Sequence, residues 1–200
     1  MSHRINLPNP QHEGTTSLEQ CLKERRSSRN YQQNPVPLEK VAQLLWAAQG
    51  TNRKEGYRTA PSAGALYPLE IYIVTGNVTS LPKGIYRYLT NSHQLEVIAE
   101  GDKRTELSRA ALGQRCVKDC AAILVISAVY ERTTGKYGKR GIRYAHIEVG
   151  HAAQNIYLQA ASLQLGTVFV GAFYDERVQE IMRMKENEVP CCIMPVGPIK

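Results

Sequence analysis

The sequence predicts an α+β domain, helices packed around one sheet, and three observations carry that prediction. Residues 69–75 (LEIYIVT) are β-branched and aromatic, the composition of a strand. The segment GIYRYLTNSHQLEVIA reads as a hairpin, with 85–88 and 95–98 flanking a turn at Asn91 and Ser92. Residues 121–129 (AAILVISAV) are continuously apolar and long enough only for a strand buried on both faces. Hairpin and central strands interspersed with helical stretches fit one sheet with helices around it.

In chain order, residues 1–15 carry two prolines and little periodicity and are expected to form an amino-terminal arm, with a single domain over 16–200. Thr16-Ser17-Leu18-Glu19 reads as a capping box that opens a short helix, with Leu18, Cys21 and Leu22 facing inward. Pro37 starts a second helix with Val41, Leu44, Leu45 and Ala48 on one face and Gly50 as its stop. A helix is expected over 103–112, and a basic, glycine-rich loop over 132–141 (RTTGKYGKRG). The longest helix spans about 142–165 and closes at Gly166. Its two apolar faces, Ile156–Ala160–Leu163 and Ile142–Val149–Ala153, suggest a central helix or one buried against a second subunit. A short strand at 167–170, a helix from Asp175 to Met184 and a last strand at 190–196 complete the chain.

Bulk properties narrow the function. The chain has 200 residues, and no stretch of it approaches eighteen uninterrupted apolar residues, so no transmembrane helix and no membrane partner are expected. A polar amino terminus predicts no secretory signal, and five scattered cysteines suggest reduced thiols in a cytoplasmic protein. The net charge of +7 points toward anionic partners, either nucleic acid or a phosphorylated cofactor, and charge alone does not choose. No G-x-G-x-x-G follows a strand, no G-x-x-x-x-G-K-[ST] occurs, and no G-x-S-x-G elbow occurs. His146 and His151 would diverge on their helix, and Cys116 and Cys120 lack a second ligand pair, so no metal site is expected.

Three stretches remain as candidate sites. Arg25-Arg26-Ser27-Ser28-Arg29 offers guanidiniums and hydroxyls that can clamp a phosphate, Arg25 and Arg29 pointing the same way on a helical turn; it equally suits a solvated basic helix end. RTAPSAGALYPLE (58–70) holds small residues between two prolines; they let the backbone approach a flat ligand and leave N–H groups free to donate to it, or form a plain turn. The basic loop 132–141 supplies Arg132, Lys136, Tyr137, Lys139 and Arg140, or is a solvated loop or a nucleic-acid contact; the glycine turn Phe169-Val170-Gly171-Ala172-Phe173 could cover a ring face, or be a plain strand-to-helix connection.

Taken in order, RRSSR, PSAGALYP, VGAF and the terminal PVG resemble the motifs of the nitroreductase superfamily of FMN-dependent oxidoreductases, over about residues 18–197. SAGALYPLE, KYGKRGIRY and EVGHAAQNIYLQA most resemble its SagB-type branch, which includes azoline dehydrogenases acting on modified peptides. The resemblance implies a nitroreductase-like fold, a mixed, mostly antiparallel sheet surrounded by helices, in a homodimer with FMN at the interface. It implies that Arg25, Arg26, Ser27 and Arg29 hold the ribityl phosphate and pyrimidine edge, with Lys200 standing where members reach the phosphate with later basic residues. It further implies that Pro61, Ser62, Ala63, Gly64 and Leu66 line the ring from the other subunit. Gln114 would set a polar side chain against it, and Val170, Gly171 and Ala172 would stack on it or donate near N5. A catalytic Lys-Tyr pair falls on Lys136 and Tyr137. The expected partners are a second copy and a small-molecule or modified-peptide substrate, with NADH or NADPH as candidate electron donor and no nucleic acid. A basic nucleic-acid-binding module and a non-catalytic flavin-binding protein are the alternatives.

Overall fold

Every residue of Ala122–Ala128 is buried because this run lies inside a sheet covered on both faces. The computed structural model describes residues 3–53 and 55–199. In chain order its elements are β1 (Arg4–Asn6), α1 (Leu18–Glu24), α2 (Leu38–Gln49), β2 (Leu69–Thr75), β3 (Gly84–Leu89), β4 (Gln94–Glu100) and α3 (Arg104–Ala110). They continue with α4 (Arg115–Asp119), β5 (Ala122–Ala128), α5 (Glu131–Tyr137), α6 (Arg140–Ser162), β6 (Leu165–Thr167), α7 (Asp175–Met182) and β7 (Val189–Pro198). The strands form one sheet in the order β1-β4-β3-β2-β5-β7-β6 with antiparallel neighbours throughout. The α+β architecture read from the sequence, one antiparallel sheet surrounded by helices, is therefore present.

The period-2 geometry of strands divides the core in two. Ile71 and Ile73 of β2 and Leu124 and Ile126 of β5 face α2 and α6; Tyr72, Val74, Ile123 and Val125 face α3, α4 and α7. On the first face Val41, Leu44, Leu45 and Ala48 of α2 meet Ala145, Val149, Ala152 and Ile156 of α6. Each such Leu or Ile contributes about 1.5–3 kcal/mol when withdrawn from water. On the second face Tyr72 donates to the buried Glu188 (2.6 Å), whose carboxylate also accepts from Ser127 (3.3 Å).

Several local readings shift. Residues 4–6, within the expected arm, pair with β4 as an edge strand. The cap of α1 is Ser17, whose Oγ accepts from the Gln20 N–H (3.1 Å), so the box sits one residue later than predicted. Leu18 and Leu22 face outward, 60% and 53% exposed; only Cys21 of that trio is buried. The predicted loop 132–141 is instead α5, a two-residue break at Gly138 (φ +55) and Lys139, and the start of α6. Its order comes from packing: Thr133 is fully buried, and Gly141 lets α6 approach so closely that a Cβ there would lie 2.7 Å from the Thr133 carbonyl carbon and the Thr134 nitrogen. Ile142, assigned to an apolar face, is 40% exposed. The stop of α6 is not Gly166, which lies inside β6, but Leu163 followed by Gln164 at φ +57.

Candidate functional site

The stretch between the two prolines is a strained ledge. Ser62 is extended, 63–65 form a single 3-10 turn, and Gly64 (φ +62), Ala65 (φ +54) and Tyr67 (φ +47) all occupy the left-handed region. Such backbone costs about 1–3 kcal/mol per non-glycine residue and persists only where surroundings enforce it. Here the Ala63 N–H donates to Glu148 Oε1 of α6 (2.9 Å), the Tyr67 N–H to Ser62 Oγ (2.8 Å), and Arg132 of α5 to the Tyr67 carbonyl (3.1 Å). The expectation of free N–H groups needs correction: Ala63 is taken by Glu148, and Ala65 and Leu66 donate within the turn. What the ledge presents outward is small-residue surface, with Pro61 and Gly64 exposed and Ser62, Ala63 and Leu66 half-buried.

Lys136 and Tyr137 sit directly over that ledge. A Cβ on Gly64 would come within 2.7 Å of Tyr137 Oη and 3.1 Å of Lys136 Nζ, so a larger residue there would have to push both tips aside. The Lys136 ammonium lies 5.5 Å from the Tyr137 ring centre, and Tyr144 meets that ring edge-on at 5.1 Å. The sequence named the pair and the ledge separately; the fold joins them.

The arginine cluster lies elsewhere. Arg25 caps the end of α1, and Ser27 bridges to Thr167 of β6, with the Ser28 N–H donating to the Thr167 carbonyl (2.8 Å). The segment is extended, not helical, so Arg25 and Arg29 are not neighbours on one turn as predicted. Tyr157 of α6 organises it. Its ring lies 5.2 Å beneath the Arg25 guanidinium, its Oη accepts from the Phe169 N–H (2.7 Å), and its hydroxyl is 3.1 Å from Ser27 Oγ. A cleft of about 580 Å³ runs past Arg25, Arg26, Lys40, Tyr157 and Thr167, and one of about 520 Å³ past Arg26, Ser27, Arg29 and Tyr31. Among the described residues Arg25, Arg26 and Arg29 have no carboxylate within ion-pair distance, although Glu24 also lines the first cleft. Lys200 lies outside the described residues.

The 169–173 turn stands beside this cluster. Val170 is buried and exchanges both backbone hydrogen bonds with Ile193 (2.9 and 3.0 Å), leaving Gly171 and Ala172 exposed. Gln114 Nε2 donates to the Ala172 carbonyl (3.2 Å), which brings that residue to the turn. Tyr157 thus couples Ser27 to Phe169, and Gln114 to Ala172 extends the same edge. The ledge is separate: Glu148, which holds it, and Tyr157 are nine residues apart, about 13.5 Å along α6.

Sequence reasoning missed Glu148 and Tyr157, although both lie in EVGHAAQNIYLQA, a stretch that carries the resemblance to the SagB-type branch. A glutamate on the buried stripe of a helix was the available signal, because an ionisable group is rarely buried without a task. Glu148 is 3% exposed; burial raises its pKa, while the Ala63 N–H, the Ser62 side chain, His151 and Arg58 pull it back down.

Known proteins share both fold and sequence. A crystal structure of a candidate nitroreductase from Ralstonia eutropha JMP134 superimposes with a TM-score of 0.86 at 32% identity, covering 98% of this chain and 90% of that one. With such neighbours the fold defines an oxidoreductase of the flavin type. Residues 22–198 match the family model described as Nitroreductase family, and the chain belongs to that family. A candidate nitroreductase of Methanocaldococcus jannaschii is 47% identical over 180 residues, 90% of each chain. The relatives include members of the SagB-type branch. One is the microcin B17-processing protein McbC of Escherichia coli, 32% identical over 66% of this chain; the match spans half of McbC's length. No helix among the described residues is long and apolar enough to cross a membrane.

Proposed function

We propose that this protein is an FMN-dependent oxidoreductase of the nitroreductase/SagB type, working as a homodimer. Bound FMN would supply hydride transfer at N5 between a reduced nicotinamide or organic substrate and an acceptor. One observation carries the reading: Tyr157 hydrogen-bonds both Ser27 of the arginine cluster and Phe169 of the glycine turn. The surface that would hold the phosphate and the one that would face the ring are thereby tied together on one edge of the protein.

The residues fit such a ligand. Three guanidiniums without carboxylate partners match a dianionic phosphate through charge-assisted bonds. A guanidinium of the same cluster would also stabilise the charge that accumulates at the pyrimidine edge. The exposed Gly171 and Ala172 let backbone approach a flat ring, with Gln114 held at their side. Lys136 or Tyr137 would hold or move a proton at the substrate. The ledge and the arginine cluster lie at different levels of α6, and in the proposed dimer each copy would contribute one of them to a shared site. The exposed Leu18 and Leu22 on α1, which packs on α6, are apolar surface for a second copy to cover.

The Lys136–Tyr137 pair on the ledge, together with the relationship to a microcin-processing protein, favours oxidation of azoline rings in modified peptides over nitroreduction. The test is direct. Purified protein is expected to carry, or on incubation to take up, FMN with a visible flavin spectrum, to run as a dimer in sedimentation, and to be bleached by NADH or NADPH. Protein that stays colourless after incubation with FMN ends the proposal.

A further inference from the structure

The ledge must be enforced by something stiffer than itself. It carries three left-handed residues within four positions, two of them non-glycine, and the tips of Lys136 and Tyr137 lie over it at Gly64. The deepest of its anchors is Glu148. That side chain rises from the middle of α6, is nearly solvent-free, and accepts the Ala63 N–H with Oε1 at 2.9 Å. Its Oε2 is buried without a hydrogen bond of ordinary geometry among the described residues, the Ser62 side chain being a polar group that favours its charge. A buried carboxylate with one idle oxygen is an expensive way to hold a turn, and a glutamine or a serine would do it more cheaply. The other anchors, Ser62 Oγ and Arg132, sit at the far end of the ledge on the Tyr67 backbone.

We infer that Glu148 is a positioning residue, which through Ala63 fixes the height of the ledge and so sets Lys136 and Tyr137 relative to the bound ring. The inference rests on the proposed flavin chemistry for its functional consequence, but not for its structural one. Since α5 and the ledge touch at Gly64, any rise of the ledge displaces the Lys136 ammonium and the Tyr137 hydroxyl directly. The hold also depends on protonation. Burial is the main influence on Glu148 and raises its pKa; the charged and titratable groups facing it are His151 one turn on along α6 and Arg58 from the segment before the ledge. With the folded value above the unfolded one, the neutral form is the better buried, and this group's contribution to stability is lost as pH rises through its folded pKa.

Two variants test this. Glu148→Gln keeps an acceptor for the Ala63 N–H but cannot titrate; Glu148→Ala removes both. In the flavin-free protein, proteolytic cleavage within 58–67 is expected to accelerate about tenfold in Glu148→Ala and to stay at the wild-type rate in Glu148→Gln. In the FMN-loaded protein, Glu148→Ala should lower kcat at least tenfold with KM for the nicotinamide little changed. Glu148→Gln should restore most of kcat while removing the loss of activity that wild type shows as pH rises through the raised Glu148 pKa. Unchanged cleavage in Glu148→Ala, or a folded Glu148→Ala with wild-type kcat, overturns the inference. If Glu148→Ala does not fold, a Glu148→Gln pH profile superimposable on wild type overturns it instead. Wild-type protein that binds no FMN would end the flavin proposal alone, and the proteolysis arms would still decide the role of Glu148.

Discussion

Replacing Gly64 with alanine separates a site role from a structural one. The new Cβ would meet Tyr137 Oη at 2.7 Å and Lys136 Nζ at 3.1 Å, both ends of flexible side chains, and the residue sits at φ +62. Left-handed backbone costs an alanine about 1–2 kcal/mol. At about 2–4 °C of Tm per kcal/mol for a chain of this size, apo-protein unfolding should move by roughly 2–8 °C. The chemistry should suffer more. Restoring ordinary contact from 2.7 to 3.4 Å pushes the Tyr137 hydroxyl back by roughly 0.7 Å, and a displacement of about 1 Å can cost about 100-fold in rate. A fall in kcat of about tenfold or more is therefore expected for FMN-loaded protein turning over reduced nicotinamide with a quinone acceptor, with Tm read by circular dichroism. Unchanged kcat beside a Tm loss well beyond 8 °C would refute the reasoning and leave the ledge a structural turn.

Two further outcomes follow from packing and charge. Gly141→Ala meets backbone, the Thr133 carbonyl carbon and the Thr134 nitrogen at 2.7 Å, so it should cost about 1–3 kcal/mol in a denaturant titration and loosen α5 with its Lys136 and Tyr137. Asp102 is held down to about 2 mainly by the Arg104 side chain, with the Arg104 N–H and Lys83 adding to it. Its folded pKa lies below the unfolded value, so its stabilisation is present above about 3.9 and lost as pH falls toward 2. In an acid titration Asp102→Asn should unfold at lower denaturant than wild type at pH 7 and converge with it near pH 2.

Much of the fold was legible because its signals are local. The β-branched run of β2, the turn of the β3–β4 hairpin and the unbroken apolar stretch of β5 each state their environment within seven residues. The face of α2 was equally plain from helical spacing. Where local signals competed, the reading slipped. Three glycines argued for a loop at 132–141, whereas burial of Thr133 and the close approach at Gly141 made most of it helical. Leu18 and Leu22 looked like core by periodicity, yet α1 turns them outward.

For the site, the sequence by itself determined the residue types: a run of arginines, a stretch kept small, a glycine turn and a Lys-Tyr pair, and their order was enough to indicate the family. Only the tertiary structure decided which of these meet. Gly64 lies under Tyr137, Glu148 reaches Ala63 across 85 positions, and Tyr157 reaches Ser27 across 130. Contacts at such separations are set by how α5 and α6 pack on the sheet, and side chains that act across the fold leave no period in the chain for a reader to find.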